Sequence, residues 1–148
     1  MSAADSRAAG FVADSREVSI VMPCLNEAET LEICIRKAQS WLHGARCEGE
    51  IIVADNGSTD GSIEEIRRRF PSVRVVENGA NLGFAKGNNT GIAVAQGEYT
   101  LILNPDTIIL RGALDRLIEY AERHPEAAAF GCRGYARGDA VWAAKGVR

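Results

Sequence analysis

The chain lacks most of the signatures that assign a function on sight. No G-x-G-x-x-G follows its first apolar run, which argues against a Rossmann dinucleotide site. It has no G-x-x-x-x-G-K-[ST] and no G-x-S-x-G, so a P-loop and a nucleophile elbow are also disfavoured. Cysteine is sparse: Cys24, Cys34, Cys47 and Cys132 form no C-x-x-C pair, and the histidines are His43 and His124 alone. That spacing argues against a structural zinc site or a thioredoxin-like redox pair. Cys24, Cys34 and Cys132 lie among apolar neighbours, the setting of buried thiols in a reducing compartment rather than of disulfides. Basic residues are not in excess, with 17 Lys and Arg against 20 Asp and Glu and a net charge of -3. This disfavours a general nucleic-acid or anionic-membrane binder. No apolar run approaches the ~18 residues of a membrane span. The first 16 residues are small and polar without the apolar core of a signal peptide, and read as a flexible tail.

What remains is one domain's worth of chain, 148 residues with an apolar fraction of 46%, enough for a real core. Apolar runs alternate with helical periods. Val18–Met22, Glu50–Ala54, Val73–Val76 and Tyr99–Leu103 read as strands, the third of them an edge strand. Leu31, Cys34, Ile35, Ala38 and Leu42 recur at the 3.6-residue period, with Asn26 as a helix cap and Glu29 three residues on. Ile63, Ile66 and Phe70 stripe a second helix stopped by Pro71. Phe84, Asn88, Gly91, Ile92 and Ala95 stripe a third that ends near Gly97. Leu114, Leu117, Ile118 and Ala121 stripe a fourth, after which Ala127–Cys132 reads as a fifth strand and Ala140–Trp142 as a last one. The alternation predicts an α/β fold with a mainly parallel sheet flanked by helices and right-handed crossovers.

Three polar loops follow these strands: Met22–Glu27, Asp55–Asp60 and Asn104–Asp106. Ligands of open α/β sheets gather at the carboxyl ends of the strands, so three such loops predict a site for something polar, phosphate-bearing and metal-bound. Each residue also has a plainer role. Asp55 directly follows a buried strand; its oxygens suit base N–H groups or sugar hydroxyls, or equally the backbone N–H groups of Gly57 and Ser58. Asn26, Glu27 and Asp60 suit helix starts. Lys86 is a phosphate partner or a solvated lysine, and Asn88 sits on an otherwise apolar face. Asp106 is the best candidate for a hard divalent cation, Mg²⁺ or Mn²⁺, and Asn104 can add a neutral oxygen. The same Asn-Pro-Asp composition also favours an Asx-turn.

Four ordered segments carry a family resemblance. They are Ser19–Glu27, Val53–Gly61, Asn81–Gly91 and Leu103–Thr107. Together they resemble the N-terminal, nucleotide-sugar-binding half of an inverting family 2 glycosyltransferase of the GT-A (nucleotide-diphospho-sugar transferase) fold. The first two look most like polyprenyl-phosphate sugar transferases and the last two like rhamnosyltransferases of surface polysaccharide pathways. The resemblance implies that Pro23 and Glu27 border the nucleotide, Asp55 binds the base and Asp60 shapes its loop. Asn81, Gly83 and Lys86 then border the base, ribose or diphosphate. Asn104-Pro105-Asp106 stands where the family has D-x-D, so Asp106 ligates the cation on the diphosphate while the first carboxylate is replaced by Asn104.

The implied activity is transfer of a sugar from a nucleotide-diphosphate donor to a hydroxyl of a saccharide or lipid-linked acceptor, as in cell-envelope polysaccharide biosynthesis. A base on the acceptor side takes the hydroxyl proton. Residues 133–148 offer only Asp139, in unsuitable surroundings, so no catalytic base is assigned. The expected organisation is a tail over 1–16, the donor-binding α/β domain over 17–132 and, over 133–148, the start of an acceptor-side region cut short. The competing reading is a non-catalytic nucleotide-sugar-binding or partner-docking domain. A nucleotidyltransferase would want a Gly-rich basic loop where Pro23–Glu29 is acidic and has no Gly. The expected location is the cytoplasm, at the inner face of the membrane for a lipid-linked acceptor, through regions outside this sequence.

Overall fold

The structure is a computed structural model that describes residues 18–45, 47–131, 134–135 and 141–142. The expected tail over 1–16 and most of 133–148, Asp139 included, lie outside the described residues. The chain divides into two compact units, Met1–Thr107 and Ile108–Arg148.

In the first unit the order is β1 (Val18–Cys24), α1 (Leu31–Gly44), β2 (Gly49–Asp55), α2 (Ser62–Arg69), β3 (Arg74–Glu77), α3 (Phe84–Ile92) and β4 (Tyr99–Ile102). All four strands are parallel, in the order β3-β2-β1-β4. The chain therefore steps outward from β1 to β3 and then crosses back to lay β4 on the free side of β1. With right-handed crossovers, α1 and α2 cover one face and α3 the other. The reversal makes a topological switch point between β1 and β4.

The central strands are apolar because both faces are covered. Ile20, Val21, Met22, Ile52, Val53 and Ala54 are fully buried. Val21, Ile52 and Ala54 form one cluster with Val76, Val94 and Ala95 packed on it. Here α3 lies directly on the sheet: a Cβ added to Gly91 would stand 2.5 Å from Val21 Cγ1. On α1 the expected stripe is observed, with Leu31, Cys34, Ile35 and Ala38 buried. Burying them against the sheet removes most of their apolar surface from water, at about 1.5–3 kcal/mol for each large side chain.

β1 runs two residues beyond the expected stop, through Pro23. Val21 O accepts the Leu103 N–H on the β4 side at 2.9 Å, and Cys24 O accepts the Asn56 N–H on the β2 side at 2.8 Å. By this alternation the nitrogen of Pro23 faces the β4 side, where pairing has ended at Ile102. A missing N–H costs nothing there.

Three local expectations are corrected. Asn26 does not cap α1; Thr30 holds that position, without a side-chain cap bond. The third helix ends at Ile92 rather than near Gly97, and Phe84, placed in its apolar stripe, is 65% exposed while Gly87, Asn88 and Gly91 are the buried residues. Small residues let α3 approach the sheet, so the ring at its first position is left outside. No strand forms over residues 127–131, and Cys132 lies outside the described residues. Alanines are poor strand formers. Ala127 N–H closes a turn on His124 O at 3.0 Å, and Phe130 packs edge-on against Tyr120 at 5.6 Å.

In the second unit, α4 (Ala113–Arg123) buries Leu114 and Ala121. The expected last strand is β6 (Val141–Trp142), paired antiparallel with β5 (Gly134–Tyr135) in a two-stranded sheet of its own.

Candidate functional site

The four parallel strands end at one rim, and the candidate donor-site residues lie in the last residues of a strand or in the segment after it. Pro23 lies one residue before the end of β1 and Glu27 follows it, Asp55 and Asp60 end or follow β2, Asn81, Gly83 and Lys86 follow β3, and Asn104 and Asp106 follow β4. The strand order puts the Asn104–Asp106 loop beside the β1 loop, at the switch point.

Asp55 is buried, with 4% of its surface exposed. Its Oδ1 accepts the Ser58 N–H at 3.0 Å and its Oδ2 the Gly57 N–H at 3.3 Å. The plainer of its two sequence roles is thus present, and it also aims the carboxylate: the two bonds fix the side chain at the strand end. A carboxylate oxygen has two acceptor directions, so each oxygen can accept a further donor from a ligand.

The β1 and β2 loops are stitched together. Asn26 stands at φ 57°, a left-handed conformation that asparagine tolerates. Its Oδ1 accepts the Thr59 N–H at 2.8 Å, and its own N–H donates to Ser58 Oγ at 2.9 Å. Ser58 Oγ also lies 3.5 Å from Cys24 Sγ. Asp60 Oδ2 accepts the Ala28 N–H at 3.1 Å, while Oδ1 accepts from Ser62 N at 3.1 Å and Ser62 Oγ at 2.5 Å. The Ser62 hydroxyl is the main reason that Asp60 is held below the usual carboxylate range. Glu27 Oε2 accepts from Thr30 Oγ1 at 2.9 Å, and its carbonyl starts α1 by accepting the Thr30 and Leu31 N–H groups.

The β2 and β3 loops are joined by a residue that the sequence reading did not single out. Asn56 is 8% exposed. Its Nδ2 donates to Asn81 Oδ1 at 2.8 Å, and its Oδ1 accepts from Leu82 N at 3.0 Å and Asn78 Nδ2 at 3.3 Å. Asn81 Oδ1 accepts in turn from Gly83 N at 2.9 Å. The signal for this role was present but faint: an amide directly after a buried strand end must find partners, and an asparagine-rich loop offers them. Asn88 is 3% exposed; its Nδ2 donates to Phe84 O at 3.0 Å and its Oδ1 is buried without a partner.

Cys24 and Cys34 are buried free thiols and Cys47 is half-buried. Burial pushes both Cys24 and Cys34 above the usual thiol range. The Asp106 charge adds to the rise at Cys34, in the first turn of α1.

Asp106 and Asn104 are exposed, with Pro105 buried between them. Among the described residues no group of three or more His, Cys, Asp or Glu stands ready to hold a metal. One carboxylate and one amide oxygen suit a hard cation such as Mg²⁺ or Mn²⁺ that keeps waters and shares diphosphate oxygens; they do not suit a metal held by protein alone. Among the described residues no helix is long and apolar enough to cross a membrane.

The profile of Glycosyl transferase family 2 matches residues 19–146. N-acetylglucosaminyl-diphospho-decaprenol L-rhamnosyltransferase of Mycobacterium tuberculosis is 37% identical over 92 residues, covering 55% of this chain and 30% of that protein. Poly-beta-1,6-N-acetyl-D-glucosamine synthase of Staphylococcus epidermidis is 31% identical over 111 residues, 74% of this chain and 26% of its own length. The chain thus spans about a third or less of the relatives that it matches. Among solved structures, mannosyltransferase PcManGT of Pyrobaculum calidifontis, in complex with GDP-Man and Mn²⁺, superposes with a TM-score of 0.63 at 25% identity, covering 74% of this chain and 33% of that one. TarS of S. aureus superposes at 0.62 and 20% identity over 74% of this chain and 33% of its own, a likeness of fold.

Proposed function

From a chain that belongs to glycosyl transferase family 2, we propose a donor-binding role: these residues hold a nucleotide-diphosphate sugar for transfer of its sugar, with inversion, to a hydroxyl of a saccharide or lipid-linked acceptor. The observation that carries this reading is the meeting of all four strand-end loops at one rim, with the Asn104–Asp106 loop beside β1 at the switch point. Brought there, Asp55 accepts from the base, while Pro23 and Glu27 form the wall next to it. Asn81 and Gly83 present the β3 loop to the ribose. Lys86 lies in the first turn of α3, where its charge and the free N–H groups of the helix start favour the diphosphate.

The fit of Asp106 and Asn104 to a hard cation supports metal dependence, as does the Mn²⁺ in the complex of the similar mannosyltransferase. A Mg²⁺ or Mn²⁺ ion bound there would offset the charge that builds on the departing diphosphate. In the reaction the acceptor oxygen forms a bond to the anomeric carbon as the bond from that carbon to the diphosphate oxygen breaks. The hydroxyl proton passes to a carboxylate base outside the described residues. Likeness to the rhamnosyltransferase and the polysaccharide synthase supports an envelope-polysaccharide acceptor.

Titration calorimetry of this chain with UDP, GDP and dTDP, with and without Mn²⁺, tests the reading. One nucleotide should bind more tightly with Mn²⁺, and Asp106→Ala should remove that gain. A folded chain that binds none of them would refute the proposal and favour a non-catalytic docking domain.

A further inference from the structure

A second polar cluster lies in the core at the opposite end of the sheet, and the donor site does not use it. Ser19 of β1 is fully buried and Glu50 of β2 is 8% exposed. They are cross-strand partners in the parallel register. Ser19 Oγ donates to Glu50 Oε1 at 2.8 Å. The next partners come from the turn that leads into β4: Gly97 N donates to Ser19 Oγ at 2.8 Å, and Gln96 N donates to Glu50 Oε1 at 2.8 Å and to Ser19 Oγ at 3.2 Å. Gly97 is wedged so closely that a Cβ there would stand 2.5 Å from Ser19 N. Two side chains and one glycine thus grip the turn just before β4.

That grip matters because β4 is short. Among the described residues it is a four-residue strand that pairs only with β1. Its inward residues Tyr99 and Leu101 are only half-buried, and Ile102 is 46% exposed. Burial marks the register chiefly at Leu103, which is 7% exposed and bonded to Val21 O, so the polar grip before Tyr99 holds the other end of the strand. A slip of one residue would move the following loop by about 3.3 Å and turn its side chains to the other face. We infer that Ser19 and Glu50 are positioning residues: they set the register of β4 on β1 and thereby carry Asn104 and Asp106 to the donor rim. The link to cation binding rests on the donor reading above; the register itself does not.

The test is amide hydrogen exchange on the whole chain, paired with nucleotide titration with and without Mn²⁺. Leu103 N–H, bonded to Val21 O, reports the β4 register, and Asn56 N–H, bonded to Cys24 O, serves as the reference on the β2 side. Ser19→Ala should speed exchange at Leu103 by about tenfold while leaving Asn56 nearly unchanged. It should also reduce the gain in nucleotide affinity from Mn²⁺ severalfold, with Mn²⁺-free binding retained. Glu50→Gln, which keeps the accepting Oε1, should preserve both readings. If Ser19→Ala does not fold, Ser19→Cys, a weaker acceptor of similar shape, should give intermediate values. A folded serine variant with Leu103 protected as in the parent chain would overturn the inference, and so would a loosened Leu103 with the Mn²⁺ gain intact. If the parent chain itself shows no Mn²⁺ gain, the cation role of Asp106 fails, and Leu103 exchange alone decides the register.

Discussion

Asn56 donates its side-chain amide to Asn81 across 25 positions of sequence, at 2.8 Å. This bond ties the end of a buried central strand to the loop after an edge strand. Replacing Asn56 by Ala takes away the bonds to the Leu82 N–H and the Asn78 side chain, while Asn81 keeps the Gly83 N–H. These partners are half-buried or exposed and can turn to water, so each bond lost costs about 0.5–1.5 kcal/mol net. Urea denaturation of Asn56→Ala should show a loss in that range, together with weaker nucleotide binding. A loss within the scatter of neutral surface variants would mean that the amide cluster holds nothing.

Asp60 couples the rim to pH. Its folded pKa lies below its ordinary value, chiefly through the Ser62 hydroxyl. A depressed carboxylate adds stability that is present above the unfolded pKa and lost as pH falls through the folded one. The loss is therefore expected below about pH 4. Glu32 and Glu65, lowered by Arg36 and Arg68 respectively, contribute in the same direction. Asp60→Asn should give a shallower fall in stability between neutral and acid pH than the parent chain, measured by denaturant midpoints. An identical pH profile would remove Asp60 from the account.

Gly91 tests the seating of α3. The added methyl of Gly91→Ala meets Val21 Cγ1 at 2.5 Å and Ala54 Cβ at 3.2 Å. Overpacking a filled core costs about 1–3 kcal/mol. Gly44→Ala, with open space around the new Cβ, is the control and should be neutral or slightly stabilising. Equal denaturation midpoints for the two variants would contradict the observed contact between α3 and the sheet.

Asn104 offers a gain-of-function test of the cation reading. Asn104→Asp adds a second carboxylate beside Asp106. Added ligand charge should tighten Mn²⁺ binding in the presence of nucleotide by roughly tenfold, or about 1.4 kcal/mol. Calorimetry with and without nucleotide reads this directly. Unchanged or weaker cation binding would show that position 104 does not face the ion.

The agreement between sequence and structure follows how local each signal was. The strands of the first unit were legible because central strands buried on both faces must be apolar throughout, as Ile20–Met22 and Ile51–Ala54 are. The α1 stripe was legible for the same reason at the helical period. Asn26 misled because an asparagine before a helix has two uses, a local cap or a bond to a distant backbone. The distant Thr59 N–H, 33 positions away, took its side chain. Phe84 misled because periodicity marks a face without saying how near the sheet lies, and the glycine-lined approach of α3 left no room for a ring.

Taken alone, the sequence determined the element types of the first unit, the parallel α/β class and the four motif segments that mark the family, since these depend on burial period and on residues within a few positions of one another. The tertiary structure alone decided the strand order that brings the Asn104–Asp106 loop beside the β1 loop, the Asn56 hub and the Ser19–Glu50 grip on β4. Each of these joins groups more than twenty residues apart, and which partners such groups find depends on how the packed sheet brings its strands together.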